Sequence, residues 1–265
     1  GVDMILLRQN FINTVGVMTT SNGTATLANL FDKDKTSQWT TENAGTDATT
    51  ATLRIVFDTT LTVSQIILSN HNLKTFIIQP NTTTTNFTPA ISTSVNSATN
   101  NYFAVATISV KEIILGVGAA TITPNQEKSI GELIVSNLLY DFASDRLPSS
   151  DNYVPSVEKK QIVHEMSDGG HTIYNIANKY KADLEFDFVP TSTTNSLKTV
   201  FNLGEPFVFV PFESTATATV WDGIWAECIW PGAFEFEEFS DNNRGNGYRG
   251  VIKLRQTAGG SLSWG

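Results

Sequence analysis

Three glutamates near the C-terminal end, Glu235, Glu237 and Glu238, are spaced closely enough to suggest a catalytic pair. Paired carboxylates cleave glycosidic bonds in many hydrolases. Phe234 and Phe236, however, alternate with Glu235 and Glu237, which is typical of a strand with one apolar face and one solvated acidic face. The sequence also has no Gly-x-Ser-x-Gly elbow, His-Glu-x-x-His motif or phosphate loop. We therefore predict that the protein is not an enzyme.

Two aspartates, Asp32 and Asp34, form an Asp-x-Asp pattern in a polar stretch that leads to Trp39. Aspartate in a turn accepts hydrogen bonds from nearby backbone N–H groups, so one interpretation is that both residues close the loop. The other interpretation is a calcium loop, which needs several oxygen ligands at about 2.4 Å. Lys33 and Lys35 place positive charge in this loop, and this favours loop closure.

Cys228 is the only cysteine, which excludes an intramolecular disulfide. It lies in an alternating segment, residues 225–230, where we expect a small buried side chain rather than a catalytic thiol. His164 and His171 flank the Gly169-Gly170 turn without further metal ligands, so we expect a solvated turn there.

The composition excludes two classes of partner. Net charge is −9, only 16% of residues are charged, and no Lys/Arg cluster occurs that a phosphate backbone would require. We expect no nucleic-acid partner. No run of about 18 apolar residues occurs, so we expect no membrane span, and residues 1–9 lack the pattern of a signal peptide.

Strand patterns dominate the chain, and they divide it into two halves. Residues 53–57 alternate, residues 63–69 form an apolar run typical of a strand covered on both faces, and residues 181–189 alternate again. Residues 195–201 are predicted to be the one short helix. Residues 144–155 are polar and rich in turn formers, which predicts a linker between domains at 1–143 and 156–265.

The order of motifs in the first half resembles the galactose-binding-like, or discoidin-type, jelly roll. The segment Leu27-Ala28-Asn29-Leu30-Phe31-Asp32-Lys33-Asp34-Lys35-Thr36-Ser37-Gln38-Trp39 is followed by a strand that ends Val56-Phe57-Asp58 and by a closing strand with Ile130-Gly131-Glu132-Leu133. The resemblance covers residues 10–142. Together with the strand patterns it predicts an all-β protein, with a jelly-roll sandwich followed by a second β-sandwich or barrel domain.

The resemblance also implies candidate site residues. Some members of the family hold Ca²⁺ with this loop and an acid on the last strand, which here gives Asp32, Asp34, Thr36 and Glu132; Lys33 stands where the family usually has glycine. No other cofactor is implied. Members that bind sugars use loops at one end of the sandwich, and here His71 and Asn72 are the candidates, although His71 also fits a residue that stabilises a turn.

The second half resembles, in style, the β domains of tailed-phage tail and baseplate proteins. The features are Ser167-Asp168-Gly169-Gly170 before a strand, Gly204-Glu205-Pro206-Phe207 leading into another, and late aromatic strands. This resemblance implies a virion structural protein of a tailed phage or prophage, at the tail tip or baseplate. Its partners would be other tail proteins, copies of itself in a ring contacting through the C-terminal half, and a cell-surface glycan.

An alternative function follows from the jelly roll taken alone. The chain would then be a carbohydrate-binding, lectin-like module of a cell-surface or secreted protein, and it would be extracellular rather than part of a virion. A glycosidase or lyase with an appended jelly roll is a third interpretation.

Overall fold

The structure is a computed structural model, and it describes residues 4–22, 27–34, 37–41, 47–142, 153–166, 169–211, 223, 225–241 and 245–257. The strands are β1 (Ile5–Leu7), β2 (Val15–Ser21), β3 (Trp39–Thr40), β4 (Ala51–His71), β5 (Phe76–Pro80), β6 (Ile91–Thr93), β7 (Asn101–Val117), β8 (Ser129–Ser136), β9 (Leu138–Asp141), β10 (Tyr153–Glu165), β11 (His171–Val189), β12 (Phe207–Val210), β13 (Ala226–Ile229), β14 (Glu235–Asp241) and β15 (Gly245–Gln256). Within the described residues, the only α-helix is α1 (Thr191–Leu203). The predicted all-β class is confirmed.

The jelly-roll sandwich is built from β2 to β8. Its strand order is β3-β8-β4-β7-β5-β6, with β2 also paired to β4. The two long strands β4 and β7 pair with each other along most of their length, with breaks in register after Val56 and after Val63. The core between the layers contains the inward side chains of these strands together with Trp39, Phe57 and Phe87.

The first part of β4 shows the predicted alternation, since Leu53, Ile55 and Phe57 are buried while Thr52 and Arg54 are exposed. Residues 63–69, by contrast, are buried on both faces, as the apolar run predicted. The cover on the outer face comes from the second sheet. Ile67, Ile134 and Tyr102 of the sandwich share a core with Ile5, Leu7, Val208, Val210 and Trp225.

The second sheet has the order β10-β11-β15-β13-β12-β1-β9, with β14 also paired to β15. β1 pairs with β12 and with β9, so two strands from the predicted 1–143 domain belong to the sheet of the C-terminal half. The chain therefore enters through the second sheet, builds the sandwich, and returns to the second sheet through β9. Whether the two halves fold independently stays a prediction.

The predicted linker, 144–155, lies largely outside the described residues, and β10 already begins at Tyr153. The predicted helix at 195–201 is confirmed, although α1 is longer at both ends. It ends at Gly204, whose φ of 63° is left-handed, a conformation that favours glycine. Among the described residues no helix has the length and apolar character needed to cross a membrane.

Cys228 is buried in the core of the second sheet, as predicted. The same core contains Leu6, Phe209 and Leu254. Burial raises the pKa of its thiol. A neutral, buried thiol packs as a small apolar side chain, which is the role predicted from the alternating segment.

Candidate functional site

A polar cleft lies at one end of the jelly-roll sandwich, where β4 ends and its antiparallel neighbour β8 begins. It has a volume of about 450 Å³. Amide and hydroxyl side chains make up most of its lining, which consists of Gln38, Thr40, Asn72, Asn125, Gln126, Glu127 and Ser129. Three segments meet here because β3 and β4 both pair with β8 at its N-terminal end. The predicted residue Asn72 is part of this cleft.

Asn72 holds the loop that forms the opposite wall. Its side-chain Nδ2 donates to the carbonyl of Glu127 at 2.5 Å, and its Oδ1 accepts the N–H of Ser129 at 2.8 Å. Its own backbone carbonyl accepts the N–H of Ile122 at 2.8 Å. Both polar atoms of the side chain are therefore engaged within the protein, and Asn72 shapes the cleft.

Asp47 fastens the same loop from the other side. One carboxylate oxygen accepts the hydroxyl of Thr121 at 2.9 Å and the backbone N–H of Asn125 at 3.0 Å. The N–H of Asn125 is the main reason that the pKa of Asp47 lies below its usual value. A carboxylate that accepts several hydrogen bonds stays ionised, so the loop keeps this anchor at neutral pH.

The side chains of Asn125 and Gln126 are exposed, and within the described part of the chain neither makes a hydrogen bond. Thr40 is half-buried on the facing wall. Amides and hydroxyls both donate and accept hydrogen bonds. The cleft thus presents free, uncharged polar groups from a loop whose backbone is fixed.

His71 does not reach the cleft surface. It is only 2% exposed and lies at the end of β4, with its ring edge-on to Phe76. Its Nδ1 accepts the N–H of Leu73 at 3.1 Å, so its Nε2 carries the proton and donates to Oδ1 of Asn101 at 2.7 Å. Burial lowers the pKa of the imidazole to about 4, which keeps the ring neutral.

A chain of buried amides continues from His71 and organises the turns beneath the cleft. Asn101 donates to Oδ1 of Asn96 at 3.2 Å, and Asn96 donates to the carbonyls of Leu73 and Ala98 at 2.8 and 2.7 Å. This placement favours the turn-stabilising role for His71. A direct sugar contact by His71 and Asn72 stays a prediction, and the burial of His71 counts against it.

The loop with the predicted calcium ligands is closed by its own side chains. Asp32 accepts the N–H of Asp34 at 2.9 Å and the hydroxyl of Ser37 at 2.5 Å. Glu132 accepts the backbone N–H of Lys33 at 3.2 Å, and Thr36 lies outside the described residues. No three acidic, His or Cys side chains are grouped to hold a metal in the described ranges. Calcium binding by Asp32, Asp34, Thr36 and Glu132 stays a prediction.

The Lys33 ammonium pairs with an acidic side chain of the second sheet. It donates to Oε1 of Glu227 in β13 at 2.7 Å, and Glu227 also accepts the hydroxyl of Thr257 at 2.8 Å. The backbone of Lys33 is left-handed, with φ of 65°, which is a conformation that glycine adopts without strain. The Lys33 side chain thus supplies the positive charge that joins this loop to the second sheet.

Glu132 is buried beside this ion pair. It is 3% exposed, and burial raises the pKa of its carboxyl to about 8, so it is mostly protonated at neutral pH. The carboxyl oxygen that accepts the N–H of Lys33 lies inside the protein rather than at its surface. Glu132 therefore contributes a buried hydrogen bond to the loop backbone.

The C-terminal glutamates are placed as the alternation predicted. Glu235, Glu237 and Glu238 are exposed on β14, and Phe236 faces the aromatic cluster of the second sheet. Glu235 pairs with Lys253 at 2.6 Å, and Glu237 pairs with Arg249 at 3.1 Å. Glu235 and Glu237 thus share a solvated face of the strand, and Glu238 is exposed on the other face.

Sequence reasoning missed most of the cleft. Gln38 and Thr40 flank the tryptophan of the jelly-roll motif, and Asn125 and Gln126 follow Pro124 before the closing strand. These polar residues adjoin strands that meet at one end of the sandwich, because β3 and β4 both pair with the N-terminal end of β8. The sequence alone does not reveal which strands pair with β8, so it could not bring these residues together.

No family model and no curated protein matches this chain. Among solved structures, chitosan-binding module 1 of a chitosanase/glucanase from Paenibacillus sp. IK-5 is 14% identical, with a TM-score of 0.39 over 48% of this chain and 98% of that module. A pectin-binding carbohydrate-binding module is 18% identical, with a TM-score of 0.34 over 46% of this chain and 89% of that one. Two CBM32 domains from Clostridium perfringens are 10% identical, with a TM-score of 0.38 over 50% of this chain and 36% of that one. Likeness at this level assigns no ligand to this chain.

Proposed function

We propose that this chain is a carbohydrate-binding, lectin-like module of a cell-surface or secreted protein. The observation that carries the proposal is the cleft at the end of the sandwich, lined by amides and hydroxyls from Gln38 to Ser129. The jelly-roll motifs of the sequence and the strand order agree with it. Apart from Glu127, the lining side chains are uncharged, which suits a neutral polyhydroxylated ligand.

The chemistry of the cleft matches sugar hydroxyls, which donate and accept hydrogen bonds as the cleft side chains do. Gln126 and Asn125 supply free amides on one wall, and Thr40 supplies a hydroxyl on the other. Asp47 and Asn72 hold these walls in place before a ligand arrives, which lowers the entropic cost of binding. We propose Gln126, Asn125 and Thr40 as the ligand contacts.

The test is a glycan array followed by calorimetric titration, with chitotriose and pectin oligosaccharides among the ligands. Gln126→Ala and Thr40→Val each remove one polar group and should weaken binding by about 1 kcal/mol, or about fivefold in Kd. Asn195→Ala is the matched control because Asn195 is exposed on α1, outside the cleft. A folded protein that binds no glycan, or equal loss in the control, would refute the proposal.

The second candidate is the virion role, at the tail tip or baseplate of a tailed phage. It is favoured by the exposed apolar side chains of β10 and β11, because such residues call for a partner protein. Under this candidate, a ring of copies would contact through the C-terminal half, and neighbouring tail proteins and a host glycan would be bound. Mass spectrometry of purified particles from the source strain would detect the chain if this candidate is correct.

Neither candidate includes a catalytic step. The exposed glutamates of β14 are paired with Lys253 and Arg249, and the cleft holds a single carboxylate, Glu127. Incubating the protein with the oligosaccharides that it binds and looking for cleavage products tests this. Released products would make the chain an enzyme.

A further inference from the structure

The strands β10 and β11 form a two-stranded ribbon that extends beyond the rest of the second sheet. β15 pairs with β11 only from Lys181 to Val189. The earlier part of β11, from His171, pairs with β10 alone, in a register that runs to Glu165. A ribbon of two strands is only marginally stable in water by itself.

Apolar side chains on this ribbon face water. They include Val157, Ile162, Val163, Met166 and Ile173. Ile162 is 46% exposed and its neighbour Val163 is 57% exposed. Because successive residues of a strand point to opposite faces, both faces of the ribbon carry exposed apolar groups. Among the residues that the structure describes, none covers either face of the ribbon at Ile162 and Val163.

β10 is also the last strand of its sheet. Within the described residues it pairs with β11 alone, so no described strand pairs with the backbone N–H and C=O groups of its outer edge. Pro155 lacks an N–H group, which limits further pairing at the start of the strand. We propose that the occupant of this edge is β10 of a second copy of the chain, paired antiparallel around a two-fold axis centred on Ile162.

Symmetry and charge select this register. A two-fold axis that relates two antiparallel strands edge to edge runs perpendicular to the sheet. Equivalent side chains of the two copies therefore lie on the same face of the joined sheet. The residue at the axis lies opposite the same residue of the second copy. With Ile162 at the centre, Lys159 lies opposite Glu165 of the second copy, and Glu165 lies opposite the second copy's Lys159. A centre on Lys159 would instead place two lysines opposite each other, which is unfavourable.

Charges on an edge strand usually prevent pairing. Here the exposed residues Lys159 and Glu165 lie opposite each other in this register, and no other two-fold register brings these two charges together. A third exposed charge of β10, Glu158, lies opposite residue 166 of the second copy. Ile162 then packs against its own copy across the axis. The apolar residue and the charged residues therefore point to the same partner strand.

The first experiment measures the mass of the full chain by sedimentation velocity over a range of concentrations, where we expect a dimer. Lys159→Glu and Glu165→Lys each turn two attractive pairs into two repulsive ones, and each should raise the dimer Kd by about tenfold. The double variant K159E/E165K restores opposite charges across the axis and should restore the dimer. All these positions are exposed, so the fold is preserved.

The second experiment is a cross-link. Opposite residues in an antiparallel pair have Cα atoms about 4.5 to 5.5 Å apart, within the range of a disulfide. Ile162→Cys should therefore form a disulfide with its own copy on mild oxidation, and Cys228 will not interfere because it is buried. Ile173→Cys is the matched control, since Ile173 is equally apolar and exposed but lies on β11, opposite Val163 and away from the edge.

Several results would overturn the proposal. They are a monomer at every concentration, a dimer that ignores both charge reversals, a double variant that stays monomeric, a closed ring larger than a dimer, or equal cross-linking of the two cysteine variants. None of these results bears on glycan binding, because the ribbon and the cleft share no residue.

Discussion

At the scale of single residues, the turn beneath the cleft depends on a histidine that stays neutral. His71 bridges Leu73 and Asn101 with its two ring nitrogens, and protonating Nδ1 would replace an acceptor with a donor facing the N–H of Leu73. Burial lowers the pKa of this imidazole to about 4, against an ordinary value of 6.5. The folded protein therefore excludes a proton that the unfolded chain binds.

This difference predicts how stability depends on pH. Between pH 6.5 and about 4 the unfolded state binds the proton and the folded state does not, so the contribution of His71 to stability is lost as the pH falls through this window. The loss is on the order of 3 kcal/mol. Urea unfolding from pH 4 to 7 should show that the free energy of unfolding of the unchanged protein, relative to that of His71→Gln, falls as the pH falls through this window.

The control for this measurement is His171→Gln, at an exposed position of β11. Glu132 has the opposite effect, because its raised pKa makes the protein lose stability as the pH rises from about 4.5 to about 8. Comparing variants at each pH cancels that contribution. Identical slopes for His71→Gln and the unchanged protein would show that His71 is not buried as a neutral ring.

A second residue, Lys33, decides how the loop of the jelly roll responds to calcium. Its ammonium already neutralises Glu227, and Glu132 is mostly protonated, so we expect no rise in Tm when Ca²⁺ is added to the protein. A thermal shift titration checks this. A rise in Tm that disappears in Asp32→Ala would contradict this expectation and would support the calcium-loop interpretation.

At the scale of elements, β3 is short, yet it places the largest side chain of the sandwich core. Trp39 is fully buried, and β3 pairs with β8 through Trp39 and Thr40 only. Its indole N–H has no hydrogen-bond partner in the described part of the chain. The apolar surface of the ring, rather than its polar group, therefore accounts for its role.

We predict that Trp39→Ala lowers the free energy of unfolding by about 3 to 5 kcal/mol, the range for large aromatic truncations. Trp39→Phe should cost much less, because it keeps most of the ring and removes an unpaired buried donor. Urea unfolding of both variants gives the values. A loss below about 1 kcal/mol for Trp39→Ala, together with weaker glycan binding, would mean that Trp39 contacts the ligand instead.

At the scale of the whole molecule, the two sheets share structure in two ways. Ile67, Ile134 and Tyr102 of the sandwich are buried in a common core with Trp225 and strands β1 and β12. The Lys33–Glu227 ion pair adds a polar tie between the Asp32 loop and β13. Separating the halves would expose this core and leave Glu227 without its cation.

Calorimetry tests the consequence. We expect a single unfolding transition whose calorimetric and van't Hoff enthalpies agree, because neither half keeps its burial without the other. Trp225→Ala should lower that one Tm as a whole. Two transitions that both persist after limited proteolysis within residues 144–155 would instead support independent domains at 1–143 and 156–265.

The sequence by itself determined the features that depend on local pattern. Alternation identified the strands around Leu53 and Ala182, the apolar run at 63–69 predicted a strand covered on both faces, and alternation placed Cys228 inside and Glu235 outside. These predictions hold because a strand's faces follow its own side-chain period, whatever it pairs with. The all-β class followed from the same signals, whereas the jelly roll was implied by the resemblance of the motif order to a known family.

Only the tertiary structure decided which strands meet. The sequence gives no sign that β1 and β9 belong to the second sheet, because strand pairing depends on contacts between residues far apart in the chain. For the same reason the cleft residues Gln126 and Thr40, the burial of His71 and the partner of Lys33 became visible only in the fold. A partly buried lysine such as Lys33 is expected to pair with an acidic residue. The packing of the two sheets determines that this residue is Glu227.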